Sequence, residues 1–202
     1  MNRPMPRFLL LTLLFWVGPL FSAPPVSLQF TTLLDEGGLV FVPPAGYQDV
    51  DPAANPVFSY ERAIRSADGR LEIRYAVRPL KRLKIDYDDP HGAVPDPNHI
   101  FPLMFESLSG SLAAGGHAPS RHYQTDQAKS LFQADWAAAA VFDVTPDFAT
   151  THRQGLLLAL HRNKLSDAYV VFLFDDYAPV KAAIDAAMSS LVYRQPPEVA
   201  AK

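Results

Sequence analysis

The sequence contains no cysteine. That absence excludes a disulfide framework, thiolate metal ligands, a thiol nucleophile and lipidation at a mature N-terminal cysteine, so stability has to come from packing. Clustered basic charge is missing too. The 18 basic residues fall to 16 once Arg3 and Arg7 are set aside with the leader, against 21 acidic ones, and the net charge is then near minus five. A sequence-independent nucleic-acid binder neutralises phosphates with grouped Lys and Arg, so nucleic acid is not an expected partner. The chain also lacks a Ser/Gly linker, an internal repeat, a phosphate-cradling glycine motif and a G-x-S-x-G elbow, and it has no S-x-x-K pair in a setting that would activate the serine.

What is present begins with a targeting pattern. Arg3 and Arg7 precede an apolar run from Phe8 to Phe21, broken only by Thr12, Gly18 and Pro19, with small residues at Ser22 and Ala23. The run is shorter than the about 20 apolar residues that a membrane-spanning helix needs. Residues 1–23 are therefore expected to be a signal peptide, 24–193 a single domain and 194–202 a flexible tail. The expected location is the periplasm of a Gram-negative bacterium or the exterior, and the alternative is an uncleaved leader holding the domain at the membrane. About 180 residues remain, enough to bury roughly 70% of the extended-chain surface in one core.

Periodicity supplies the elements. Leu39–Tyr47 reads as a short strand ended by Pro43 and Pro44, with a turn at Gly46. Leu71, Ile73, Tyr75 and Val77 alternate with Glu72, Arg74 and Ala76, which makes Arg70–Pro79 the second arm of a hairpin turned at Asp68 and Gly69, both expected at positive φ. Ile100, Met104, Leu108 and Leu112, with Phe101 and Phe105, form the stripe of a helix capped by Asp96 or Asn98, carrying Pro102 in its first turn and stopped by Gly115 and Gly116. A long strand is expected over 131–144, with Phe132, Ala134, Trp136, Ala138, Ala140 and Phe142 on one face. Gly155–Asn163 and Ala168–Asp176 are almost solidly apolar and read as two central antiparallel strands covered on both faces. A last helix, with Val180, Ile184, Ala187, Met188 and Leu191 on one side, is capped by Asp175 or Asp176. The fold class is α/β (α+β), a mainly antiparallel central sheet of about six strands covered by helices.

The phrases "FVPPAGY", "LEIRYAVRP", "FQADWAAAAVF" and "LLLALHRNKLSDAYVVFLFDD", in that order before a last helix, resemble the Mog1/PsbP-like group of small α/β domains over about residues 37 to 193. The resemblance implies an α/β/α sandwich. It further implies an accessory or binding role of the kind that group fills: a Ran-binding nuclear factor, extrinsic photosystem subunits, bacterial envelope domains. No catalytic signature is among the matching phrases, and fold alone does not fix function.

Two stretches carry candidate chemistry. Asp86, Asp88, Asp89, His91, Asp96 and His99 crowd "KIDYDDPHGAVPDPNH" and offer donors for a divalent cation. The spacing fits poorly: a calcium loop wants glycine at the sixth position and an acid at the twelfth, where this chain has His91 and Pro97. A solvated loop with Asp96 as helix cap is the preferred reading, and no cofactor is expected. Directly before it, Arg78, Lys81, Arg82 and Lys84 form a basic string that is either a solubilised strand end or a charged docking surface for a protein. His117, His122, His152 and His161 are the available bases. His161 shares a strand face with Leu157 and Ala159 and reads as a hydrogen-bonded histidine at the sheet end, while Asp175 and Asp176, consecutive at a strand end, point apart, and helix capping accounts for one of them. Tyr60, Tyr75, Phe101, Phe105 and Trp136 either line an apolar groove or fill an ordinary core, with core preferred. The expectation is a non-enzymatic exported module that contacts an envelope protein and meets the membrane only through its leader if that is uncleaved. A cation or small-ligand binder using residues 86–99 is the alternative, and a hydrolase is a third.

Overall fold

The structure, a computed structural model, describes residues 28–83 and 96–195. In chain order the elements are α1 (Leu28–Gly37), β1 (Leu39–Phe41), β2 (Tyr47–Val50), β3 (Arg62–Ser66), β4 (Glu72–Pro79), a 3-10 turn at Leu80–Arg82, α2 (Pro97–Leu112), β5 (Ser120–His122) and α3 (Thr125–Phe132). Then follow β6 (Trp136–Asp143), β7 (Gln154–Arg162), β8 (Ser166–Phe174), α4 (Tyr177–Ala187) and β9 (Leu191–Tyr193). Seven strands form one sheet in the order β2-β3-β4-β8-β7-β6-β5, with every neighbouring pair antiparallel. A separate ribbon pairs β1 with β9.

The centre of the sheet is the β7–β8 hairpin, and its apolar runs have to satisfy two faces at once. Leu156, Leu158 and Leu160 of β7, with Ala168, Val170, Phe172 and Phe174 of β8, pack beneath Phe30 and Leu33 of α1, Phe132 of α3 and Ile184 of α4. The intervening Leu157, Ala159, Tyr169, Val171 and Leu173 meet Phe101, Phe105 and Leu112 of α2 and Phe58 of the segment before β3. Each large apolar side chain taken fully from water contributes roughly 1.5–3 kcal/mol, so the two faces together make these strands the anchor of the fold. Gly155 of β7 stands opposite Phe142 of β6 and its place is dictated by contact: a Cβ there would lie 2.5 Å from the Phe142 ring.

Beside this core runs a buried ion cluster. Glu72 accepts from Arg65 Nη2 at 2.6 Å and from Arg74 Nε at 2.8 Å. Burial opposes its charge, but the two guanidinium partners outweigh that and hold its carboxyl below the ordinary glutamate range. The Arg74 guanidinium lies 4.8 Å from the Tyr60 ring centre and 4.9 Å from that of Phe148, and its Nη1 donates to the Phe148 carbonyl at 3.1 Å. One arginine thus ties β4 to two irregular segments.

The expected architecture of helices covering an antiparallel sheet is present, with corrections in detail. The central sheet has seven strands, close to the six expected, and a two-stranded ribbon stands beside it; β2, β5 and β9 are too short for their periodicity to show. Helix α3 occupies the start of the stretch expected to be a strand over 131–144: Gln133 turns left-handed at φ 55° and the strand begins only at Trp136. Phe132 and Ala134 consequently pack with α1 and α4, whereas Ala138, Ala140 and Phe142 face α2. Helix α4 ends at Ala187, and Leu191 lies in β9. Pro102 sits in the second turn of α2, not the first, since Pro97 already opens the helix. The helix ends at Leu112 before Gly115 and Gly116, where Ala113 turns extended and bridges to Val144. In the β3–β4 turn only Gly69 has positive φ, at 72°; Asp68 instead accepts from the Ser66 hydroxyl at 2.7 Å and the Arg70 amide at 3.1 Å. The β7–β8 hairpin, the β3–β4 hairpin and the Asp96 cap of α2 stand as read.

Candidate functional site

The tight β7–β8 turn fixes a register, and the register assembles a polar row. Arg162 closes against Ser166, so His161 falls opposite Asp167; the neighbouring ladders add Trp136 on one side and Arg78 on the other. Four side chains from four adjacent strands therefore line up on the α2 face of the sheet. His161 Nδ1 lies 2.6 Å from Asp167 Oδ1, to which it donates, and its Nε2 lies 3.1 Å from Asn163 Oδ1. The Phe101 ring stacks on the imidazole with centres 4.9 Å apart, and Phe101 meets Trp136 edge-on at 5.0 Å. Burial raises the Asp167 carboxyl above the ordinary aspartate range, with the His161 hydrogen bond acting against it. The Asn98 side chain accepts from the Lys164 amide at 2.8 Å and clamps the start of α2 to this end of the sheet.

Arg78, beyond Asp167, is fully engaged. Its Nη1 donates to Glu61 Oε1 at 2.7 Å and to the Val77 carbonyl at 2.9 Å, and its Nη2 donates to Ser59 Oγ at 2.9 Å and to the Ser59 carbonyl. Asn55 sets the path of that segment by accepting from the Val57 and Phe58 amides, both at 3.0 Å, while donating to the Phe148 carbonyl at 2.8 Å. Between this segment and α2 opens a groove of about 320 Å³ with walls of Val57, Phe58, Ser59, Leu83, Met104 and Leu108 and a floor of Arg78, Asp167 and Tyr169. Of its lining, Leu83 and Met104 are 50% and 45% exposed, and Leu103, which shares an adjoining concavity with Val57, Met104 and Leu108, is 72% exposed. Apolar side chains left open side by side around a concavity mark a place of contact, in contrast to scattered single ones.

The residues singled out in the sequence fall in different places. Lys81 and Arg82 both pair with Glu36 of α1, Lys81 at 3.7 Å, so these two, like Arg78 with Glu61, meet a counter-charge within the chain. Asp96 is spent on the α2 cap, where the Asn98 amide lowers its carboxyl below the ordinary range, and His99 Nδ1 lies 3.8 Å from it with the imidazole in solvent. Lys84, Asp86, Asp88, Asp89 and His91 lie outside the described residues. Among the described residues no three His, Asp or Glu side chains come together to hold a metal. His117 is exposed, His122 Nε2 is 3.4 Å from Glu106, and buried His152 has its Nδ1 3.6 Å from Asp175 without a hydrogen bond. Asp175 receives the Arg153 amide at 3.1 Å and Asp176 caps α4 through the Ala178 amide at 3.1 Å. The five aromatics divide: Tyr75 faces α1, Phe101 and Phe105 belong to α2 and are wholly buried, and Tyr60 and Trp136 pack on the same side as α2, so they serve the core. Asp167 and Tyr169, the floor of the groove, went unnoticed in the sequence as site residues. The signal was available in the hairpin register, which pairs His161 with Asp167.

No protein-family model matches the chain, and no curated protein is similar to it. Among solved structures it is similar to the solution structure of cyanobacterial PsbP (CyanoP) from Synechocystis sp. PCC 6803, at 13% identity and a TM-score of 0.44, over 78% of this chain and 88% of that one. That protein carries the name of the group the sequence resembles. Among the described residues no helix is long and apolar enough to cross a membrane.

Proposed function

We propose that the chain is an exported, non-enzymatic binding module and that the groove face of α2 is its contact surface for an envelope protein. One observation carries this reading: Leu83 and Met104 at the cleft and Leu103 at the concavity adjoining it stand exposed while the charged groups beside them are tied up among themselves. Apolar surface of this kind gains free energy on being covered, at roughly 25 cal/mol per Å² of area removed from water. The His161–Asp167 pair supports the same view. Its imidazole is stacked under Phe101 and bonded at both nitrogens, which makes it a structural fastening and leaves no nitrogen facing the groove to act as a base.

The test is capture of the partner from an envelope extract crosslinked in place. Leu103→Asp combined with Met104→Lys should abolish recovery of a stoichiometric partner, and Val141→Asp, at an exposed apolar position of β6 directed to the other face, should leave it intact. Recovery unaffected by the α2 pair, or lost with Val141→Asp, would refute the placement.

A further inference from the structure

The floor of the groove has its own chemistry. Tyr169 is 4% exposed, yet its hydroxyl makes no hydrogen bond among the described residues and is not among the buried polar atoms sealed without a partner, so it opens to the groove that it lines. Asp167 commits Oδ1 to His161, while its Oδ2 takes no hydrogen bond among the described residues and the side chain lines the groove. Arg78 has both terminal nitrogens occupied and its charge met by Glu61, so it has no terminal donor to spare for an incoming anion. The floor therefore offers acceptors.

An occupant has to bring donors at the end of an apolar stem. A guanidinium presents a planar fork that a single free carboxylate oxygen cannot match, whereas an ammonium is a compact charge with three freely directed donors. The walls of Phe58, Leu83, Met104 and Leu108 suit a methylene chain. We propose that the groove seats a lysine side chain of the partner protein, its stem between α2 and the 57–59 segment and its ammonium on Asp167 and Tyr169. This rests on the reading of the face as a contact surface and adds what enters it.

The probe is Nα-acetyl-lysine methylamide, titrated against the full exported chain carrying 13C-methyl methionine, beside the norleucine derivative that lacks the ammonium. The lysine compound should shift the Met104 methyl resonance and bind about tenfold tighter than its norleucine counterpart, the worth of a charge-assisted hydrogen bond. Tyr169→Phe and, separately, Asp167→Asn should bring the two compounds to within about twofold, the phenylalanine variant serving if the asparagine variant folds poorly. Equal binding of the two compounds, a preference that survives both substitutions, or no response at Met104 would overturn the inference. Partner capture that still depends on Leu103 and Met104 in that case leaves the contact surface standing with a different occupant.

Discussion

Replacing Glu72 by glutamine removes one charge from the cluster that fastens β4 to its surroundings. The carboxylate is 3% exposed and receives Arg65 and Arg74 at 2.6 and 2.8 Å. Arg65 is partly in solvent and regains water when the charge goes. Arg74, with its side chain 10% exposed between Tyr60 and Phe148, keeps only the Phe148 carbonyl and the two rings. Leaving a buried charge without its counter-ion costs about 3–5 kcal/mol, and because glutamine still accepts one hydrogen bond the lower end, about 3 kcal/mol, is expected. With a urea slope of about 2 kcal/mol per M, the unfolding midpoint should fall by about 1.5 M. The double variant Glu72→Leu, Arg74→Met, which removes both charges, should recover most of that loss. The pH dependence has a definite sign. Because the folded carboxyl lies below its ordinary value, the stabilisation by Glu72 is present in full above pH 4.5 and is lost as pH falls through the folded value, so the cost of Glu72→Gln should shrink in acid. A midpoint shift under about 0.5 M, or a cost that grows in acid, would refute the reasoning.

Gly155→Ala should destabilise the domain by about 1–3 kcal/mol, because its Cβ would come 2.5 Å from the buried Phe142 ring; pairing it with Phe142→Leu should recover part of the loss in the same denaturation assay. Burial raises the Asp167 carboxyl, so its ionised form carries a cost that is absent below the ordinary value of 3.8 and complete once pH has passed the folded value. The destabilisation by Asp167→Asn should therefore be largest in acid and diminish as pH rises, and thermal melts showing the reverse trend would contradict the burial argument.

How much of this was legible in the sequence follows from how each element earns its place. The β7–β8 hairpin announces itself because two apolar runs flank a short polar turn and no other arrangement hides both faces. The stripe of α2 was equally plain, since Phe101, Phe105 and Leu112 recur at helical spacing. Helices α1 and α3 were missed although Phe30, Leu33 and Leu34, and Ala128 with Phe132, have the right intervals. In α3 the alternation of the following strand runs back through Phe132 and masks the left-handed turn at Gln133. The ribbon joins β1, read as a short strand before Pro43 and Pro44, to residues some 150 positions away in β9, whose three residues are too short for any period to register. The groove was legible only in part. His161 was read as a hydrogen-bonded histidine at the sheet end, but the walls come from three separate segments, and only the packing of α2 against the sheet reveals that Leu83 and Met104 stay uncovered.

The most direct test of the contact surface is a photoreactive residue introduced in living cells at Met104, with the same residue at Val141 as the control. A single discrete adduct from position 104, absent from 141, is the expected result. Adducts of equal yield and identity from both positions would contradict it.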